Sequence, residues 1–365
     1  MWSAGFRPFF LGAAAWAAIA VPVWLAAYVH GYALRGMPAL FWHGHEMVYG
    51  FGLAAVAGFL LTAIPNWTGR LPVRGLPLAL LAALWLAGRI AMLVPGAALL
   101  DLAFAAALIV VVARELIAGR NWRNLPMLIA LALLFASNLL FHLGIYAGLR
   151  LGIATLLMLI ALVGGRIVPS FTRNWLAKQA PRTRLPAPES AFDRGALLVT
   201  LAALGAWVFS LAPWLLVAAG IALAVRLARW RGYATLREPL LFILHVGYAW
   251  LALGMILLGL EVPAALHALT VGAVGTMTLA VMTRASLGHS GRALVADGAT
   301  RAIYVLITLA ALLRVLSPLA GAQTVLVTSL AGLAWSAAFA TFALHYGRFL
   351  VSSQRSGVKS ATGSS

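Results

Sequence analysis

From Pro8 to Val29 the chain runs without a charged side chain, and stretches of this kind recur along its length. A helix needs roughly 20 apolar residues to cross the hydrocarbon core of a bilayer. Such stretches fall at 8–29, 40–64, 75–94, 97–117, 124–145, 150–172, 194–211, 213–229, 238–259, 263–284, 300–316 and 323–350. They predict an all-α integral membrane protein of about twelve transmembrane helices. Composition points the same way, with 63% of the 365 residues hydrophobic and only 9% charged, against roughly 25% charged in soluble domains. In water, so few charges would leave one continuous apolar patch as the surface. A lipid bilayer is therefore the first partner the chain requires.

The net charge of +18 invites a nucleic-acid reading, but the placement of the basic residues argues for a membrane one. Arg7 precedes the first stretch. Arg70 and Arg74 follow the second, and Arg114, Arg120 and Arg123 follow the fourth. Arg166, Arg173, Lys178, Arg182, Arg184 and Arg194 surround the connector after the sixth. Arg226, Arg229, Arg231 and Arg237 follow the eighth, Arg284, Arg292 and Arg301 the tenth, and Arg348, Arg355 and Lys359 the last. The alternate connectors hold only Arg35, Arg150 and Arg314. By the positive-inside rule both termini are cytoplasmic and the helix count is even, which places the chain as a multi-pass protein of the inner (cytoplasmic) membrane with no nucleic-acid partner. The first apolar stretch is too long for a signal-peptide core and lacks a polar cleavage region after it.

One connector is long. Residues 173–193 are rich in Pro and Arg and read as an irregular cytoplasmic loop. It divides a single polytopic domain, 1–350, into halves 1–172 and 194–350, and residues 351–365 form a small polar tail expected to be disordered. A weaker repeat has a period of four helices. The second ends in TAIPNWTGR, the sixth in RIVPSFTRNW and the tenth in TLAVMTRASLGHSGR. Twelve helices in three quartets is a layout resembling that of the haem–copper oxidases, an analogy at the level of fold.

Cysteine is absent, which excludes disulfides, iron–sulfur clusters, thiolate-ligated haem and Cys-based copper sites. No Walker loop, Rossmann glycine pattern, Ser–His–Asp order or HExxH zinc site is present. Any metal must be held by His, Met, Glu, Asp or Tyr. The eight histidines are His30, His43, His45, His142, His245, His267, His289 and His345. A polar side chain in hydrocarbon is costly, so one that persists lines a cavity, pairs or binds a ligand. His30, His43, His45 with Glu46, His142 and His267 fall in the outer leaflet. His245 lies roughly 12 Å inside its helix from the cytoplasmic side. His289 falls in a cytoplasmic loop, and His345 near a cytoplasmic helix end. In WHGHEM (Trp42–Met47) residues two apart on a helix point roughly 200° apart. His43 and His45 therefore face two separate sites, while His43 and Glu46, three apart, share a face. Arg89 is the other charge within a span, expected to pair with Asp101 or to face an anionic group. Asp101 and Glu261 otherwise read as solvated charges at the outer rim.

Five segments carry a resemblance. GFRPFF (Gly5–Phe10), WHGHEMVYGF (Trp42–Phe51), GFLLTAIPNWTGR (Gly58–Arg70), RIVPSFTRNWL (Arg166–Leu176) and ALHALTVGAVGTMTLAVMTRASLGHSGR (Ala265–Arg292) resemble the signature segments of the NnrS family, in this order. The resemblance extends to about His345. It implies a bacterial membrane protein containing haem and copper, linked to denitrification and to tolerance of nitric oxide. His43, His45, Glu46, His267 and His289 are the motif positions it carries over, joined by His142 in NLLFH and His245 in LHVGY. The implied cofactors are haem b and copper. Haem binding is expected of His43, His45, His267, His142 and His245, with Arg89 against a propionate, and metal ligation of His43, His45, His267 and His289. Which histidine meets which metal stays open at this level. Glu46 is the expected proton relay, nitric oxide the substrate and a membrane quinol the electron donor. Two other classes fit the same sequence: a non-catalytic haem–copper electron-transfer or sensory protein, and a secondary transporter. Transporters often break their helices near the midplane, whereas Pro22, Pro65 and Pro169 lie near helix ends.

Overall fold

In hydrocarbon every backbone N–H and C=O must be satisfied within the segment, which makes the helix the natural state of a long apolar stretch. A computed structural model describes residues 1–34, 36–94, 98–179 and 184–352. Arg35, Arg182, Arg355, Lys359 and the tail beyond Ser352 lie outside the described residues. Among the described residues the helical segments join into twelve rods. These are α1 (Phe6–His30), α2 (Ala39–Thr68), α3 (Leu76–Ala91), α4 (Ala98–Ala118), α5 (Trp122–His142) and α6 (Ala147–Gln179), then α7 (Ala191–Val208), α8 (Trp214–Ala228), α9 (Pro239–Gly259), α10 (Ala265–His289), α11 (Gly298–Leu316) and α12 (Thr324–Val351). Eight helical runs are long and apolar enough to cross a membrane: α1, α2, α5, α6, α7, α9, α10 and the run Gly298–Val351 that holds α11 and α12. α3 and α8 are shorter apolar helices, and α4 carries Asp101, Arg114 and Glu115. Length and composition of the helices thus yield fewer crossings than the twelve expected. The loop expected from residue 173 also starts later, because α6 remains helical through Gln179.

Three helices form the middle of the bundle. α2 packs on α1, α3, α4 and α6; α6 on α5, α7, α9 and α10; and α10 on α9, α11, α12 and α1. The chain closes on itself where α1 lies along α12. There Arg7 Nη1 donates to the carbonyls of Phe349 and Leu350, each at 3.1 Å, and of Ser352 at 2.6 Å. Both described ends of the chain therefore sit at one end of the bundle, called here the terminal end. At that end Asp297 accepts the Thr300 N–H at 2.9 Å and so caps α11. Burial pushes its carboxyl up, but the Thr300 N–H and hydroxyl and the nearby His345 outweigh this and hold it below the usual carboxylate range.

Each of the three central helices contains a π-helical segment: Glu46–Gly52 in α2, Ile160–Gly164 in α6 and Ala268–Gly275 in α10. These are the same three helices that end in the repeated Thr and Arg motif. A π turn inserts a residue into the α ladder and re-aims the side chains around it, and such turns concentrate at functional sites. Glycines allow neighbours to enter. A Cβ on Gly50 would lie 2.6 Å from Trp16 Nε1 and 2.8 Å from both Arg89 Nη1 and Glu46 Oε2. At the second π segment a Cβ on Gly165 would meet the Arg226 guanidinium, which donates to the Ala161 carbonyl at 3.0 Å.

Candidate functional site

The charged and imidazole side chains of the far end, opposite the chain termini, divide into two centres on either side of α2. The first lies where α2, α3, α4 and α5 meet. His45 and Glu46 are fully buried, and Arg89, Asp101 and Asn138 nearly so. Arg89, near the end of α3, donates to Glu46 Oε2 at 2.5 Å and also pairs with Asp101. His45 Nδ1 lies 2.8 Å from Glu46 Oε1. Its Nε2 lies 3.0 Å from both Asp101 Oδ2 and Asn138 Oδ1. Asn138 Nδ2 donates to Asp101 Oδ2 at 2.8 Å, and His142 Nε2 lies 2.9 Å from the same oxygen. Among the described residues, His45, Asp101 and His142 are the one group of His and acidic side chains whose ligand atoms converge closely enough for a metal ion, all within 4.8 Å of one another.

The second centre is a cavity of about 290 Å³ between α1, α2, α6, α10, α11 and α12. His43 and His267 both line it, with Arg314, Thr270 and Thr328 and a wall of Val, Leu, Phe and Trp side chains. The Trp24 ring stacks on His43 with centroids 4.1 Å apart. Neither His43 Nδ1 nor His267 Nδ1 has a hydrogen-bond partner, although both atoms are buried. A buried polar nitrogen left unpaired is costly. Both imidazoles line the cavity, so two histidine side chains, from α2 and α10, are available to a group bound there. A second, smaller cavity of about 100 Å³ lies toward the terminal end between the same three central helices and shares Leu156 and Val274 with the first.

This arrangement re-sorts the residues expected from sequence. His43 and His45 do face different surroundings, as 3.6 residues per turn requires. Glu46, however, does not share a face with His43. Its carboxylate, at the start of the π segment, meets His45 and Arg89, and it does not line the cavity. Asp101 is not a solvated rim charge; it is 2% exposed. Arg89 takes the first of its two expected partners, and its guanidinium is engaged by Asp101 and Glu46 rather than free for a propionate. His267 joins His43, and His142 joins His45. His245 stands apart near the terminal end, with Nδ1 3.1 Å from the Leu241 carbonyl and Nε2 3.4 Å from Thr172 Oγ1. His289 is exposed and rests on the Phe6 ring at 5.6 Å. It lies at the opposite end of α10 from His267, roughly 33 Å away at 1.5 Å per residue, so the two cannot ligate one metal.

Two residues of these centres, Arg314 and Asn138, were not expected. Arg314 reaches the histidine cavity; its signal in the sequence was that it is one of the few basic residues on the sparsely charged side. Asn138 carried a signal too, lying four residues before His142 and thus on the same helix face. Asp101 could be recognised as buried only once α3 and α4 were seen to pair. Comparison with known families matches residues 1–354 to a family model described as NnrS protein. No curated protein matches the chain.

Proposed function

Because the chain belongs to the NnrS family, we propose that it is a haem- and copper-containing membrane protein that acts on nitric oxide, binding it and reducing it to nitrous oxide. The observation that carries this reading is that His43 and His267, from two different helices, line one apolar cavity. The residues present fit a haem b: His43 and His267 would hold it from α2 and α10, and Arg314 would meet its carboxylates. When bound, haem supplies an iron that can take nitric oxide and pass electrons. The apolar wall keeps water out, and nitric oxide, small and membrane-soluble, reaches such a chamber without an aqueous channel. A quinol in the bilayer is the proposed electron donor. Two nitric oxides, two electrons and two protons give nitrous oxide and water. Glu46 is assigned here the holding of His45 rather than proton delivery, since it faces away from the cavity.

The helices support a proposed topology of twelve crossings in three quartets, each quartet containing one π-bearing central helix, in the inner membrane with both termini cytoplasmic. The terminal end carries nearly all the basic residues of the connectors, as the positive-inside rule expects.

One observation favours a second reading. His43 and His267 line the same cavity, so if both imidazoles were to hold one haem, its iron would have no place for nitric oxide. The protein then transfers electrons or senses. Visible spectra of purified protein, oxidised, reduced and reduced with nitric oxide, decide between the two. A haem band that shifts with nitric oxide supports the enzyme; an unshifted band supports electron transfer. His43→Ala and His267→Ala should each lose or alter the haem spectrum, while His289→Ala leaves it as it is. Unchanged haem in both cavity variants would remove the site from this protein.

A further inference from the structure

The buried cluster on the other side of α2 has an excess of acceptors. Glu46 and Asp101 are carboxylates on the neighbouring Arg89, so two negative charges face one positive charge and the cluster is one positive charge short of neutral. His45 Nδ1 sits 2.8 Å from a Glu46 oxygen. A carboxylate only accepts, so Nδ1 carries a hydrogen, and in a neutral imidazole the other nitrogen, Nε2, is then a lone pair. That lone pair faces the Asp101 and Asn138 oxygens, each at 3.0 Å. His142 Nε2 approaches the same Asp101 oxygen at 2.9 Å. A positive centre bound among His45 Nε2, His142 Nε2 and Asp101 Oδ2 would satisfy these atoms and supply the missing charge together.

The geometry points to a single metal ion held by His45 Nε2, His142 Nε2 and Asp101 Oδ2, and we propose that this is a copper site distinct from the His43 and His267 cavity. Ligands at about 2.0–2.1 Å from a metal stand roughly 3 Å from one another, which is the spacing present. Two imidazoles and one carboxylate suit a transition metal rather than calcium or magnesium, and copper is the one the proposed function calls for. The surroundings match what metal-bound imidazoles require. His45 gives its other N–H to the Glu46 carboxylate, which sets the tautomer and aims Nε2. Arg89 in turn holds both carboxylates in place. His142 is the last residue of α5 and its side chain is 9% exposed, so an ion has a path from the far face. The inference takes the identity of the metal from the proposed function and its place from these residues.

The test is copper content and electron paramagnetic resonance of the purified full-length protein, loaded with cupric ion and freed of excess, with haem counted on the same samples. The wild type should hold about one copper in this cluster, with hyperfine coupling from two imidazole nitrogens. His142→Ala, which removes a ligand whose one polar contact in the cluster is with Asp101, should lose that copper or show one nitrogen while keeping its haem. Glu46→Gln should weaken copper binding by ~10–100-fold, the usual loss when the partner of a ligating histidine is changed. His43→Ala should keep the copper. Should His142→Ala not fold, a copper-dependent rise in wild-type melting temperature that is abolished in Glu46→Gln serves instead. Copper undiminished in His142→Ala, copper lost with His43→Ala, or a wild type that takes up no copper each overturns the proposal. The last result would leave a protonated His45 as the missing positive charge.

Discussion

At the scale of single residues the decisive group is Arg89. Its guanidinium is nearly buried and pairs with Glu46 and Asp101, themselves buried. Such a cluster is held by mutual compensation rather than by net stability, and removing one partner leaves charges without partners. Arg89→Met should therefore lower stability by about 3–5 kcal/mol, read as a drop in melting temperature in detergent. Arg89→Met combined with Asp101→Asn should recover part of the loss, because one of the stranded charges goes too. An Arg89→Met protein that melts like the wild type would mean that the cluster is not electrostatically coupled. Much of this was legible in sequence as a short list of suspects: an Arg within a span and the His43, His45, Glu46 run. The partners were not. His45 meets Asp101 and His142 from two other helices, and no spacing along one chain segment reveals which helix stands opposite.

At the scale of elements the three π segments set the directions of these side chains. The hydropathy pattern of α2 reads as an ordinary helix, and an ordinary helix would put Glu46 on the face of His43. Glu46 instead meets His45 and Arg89 at the start of the π segment. The second π segment receives Arg226, whose guanidinium bonds the Ala161 carbonyl and the Tyr248 hydroxyl, both at 3.0 Å, and Asp193 at 3.2 Å. Gly165 leaves the room for that guanidinium. Gly165→Ala should cost about 1–3 kcal/mol through overpacking. Gly205→Ala, in α7 where an added Cβ meets nothing within 4 Å, should be stabilising by about 0.5–1 kcal/mol, since Ala is the better helix former. Thermal melts of the two variants side by side check the assignment, and equal effects would count against a guanidinium seated at the π turn. Composition carried a trace of this feature in its paired glycines, but a π turn depends on what inserts beside it, and that lies on another helix.

At the scale of the whole molecule the chain brings its two described ends together and gathers basic residues at that end. The absence of native cysteine makes a labelling test clean. Leu143→Cys, at an exposed turn of the far end, should react with a membrane-impermeant maleimide in intact cells. Arg74→Cys, at the terminal end, should react only after the membrane is opened. Labelling of both from the same side would sink the proposed topology. The sequence by itself determined that this chain is helical and that it belongs in a bilayer. Those properties follow from the solvation of each residue and from local charge, and they add along the chain without knowledge of neighbours. Only the tertiary structure decided that His43 joins His267 at a cavity, that His45 joins Asp101 and His142 in a buried cluster, and that Arg314 faces the former. Lipid tails are as apolar as leucine, so hydropathy cannot rank one helix pairing over another. Close packing of small residues and the π turns choose the rotations, and those rotations sort the histidines into two centres.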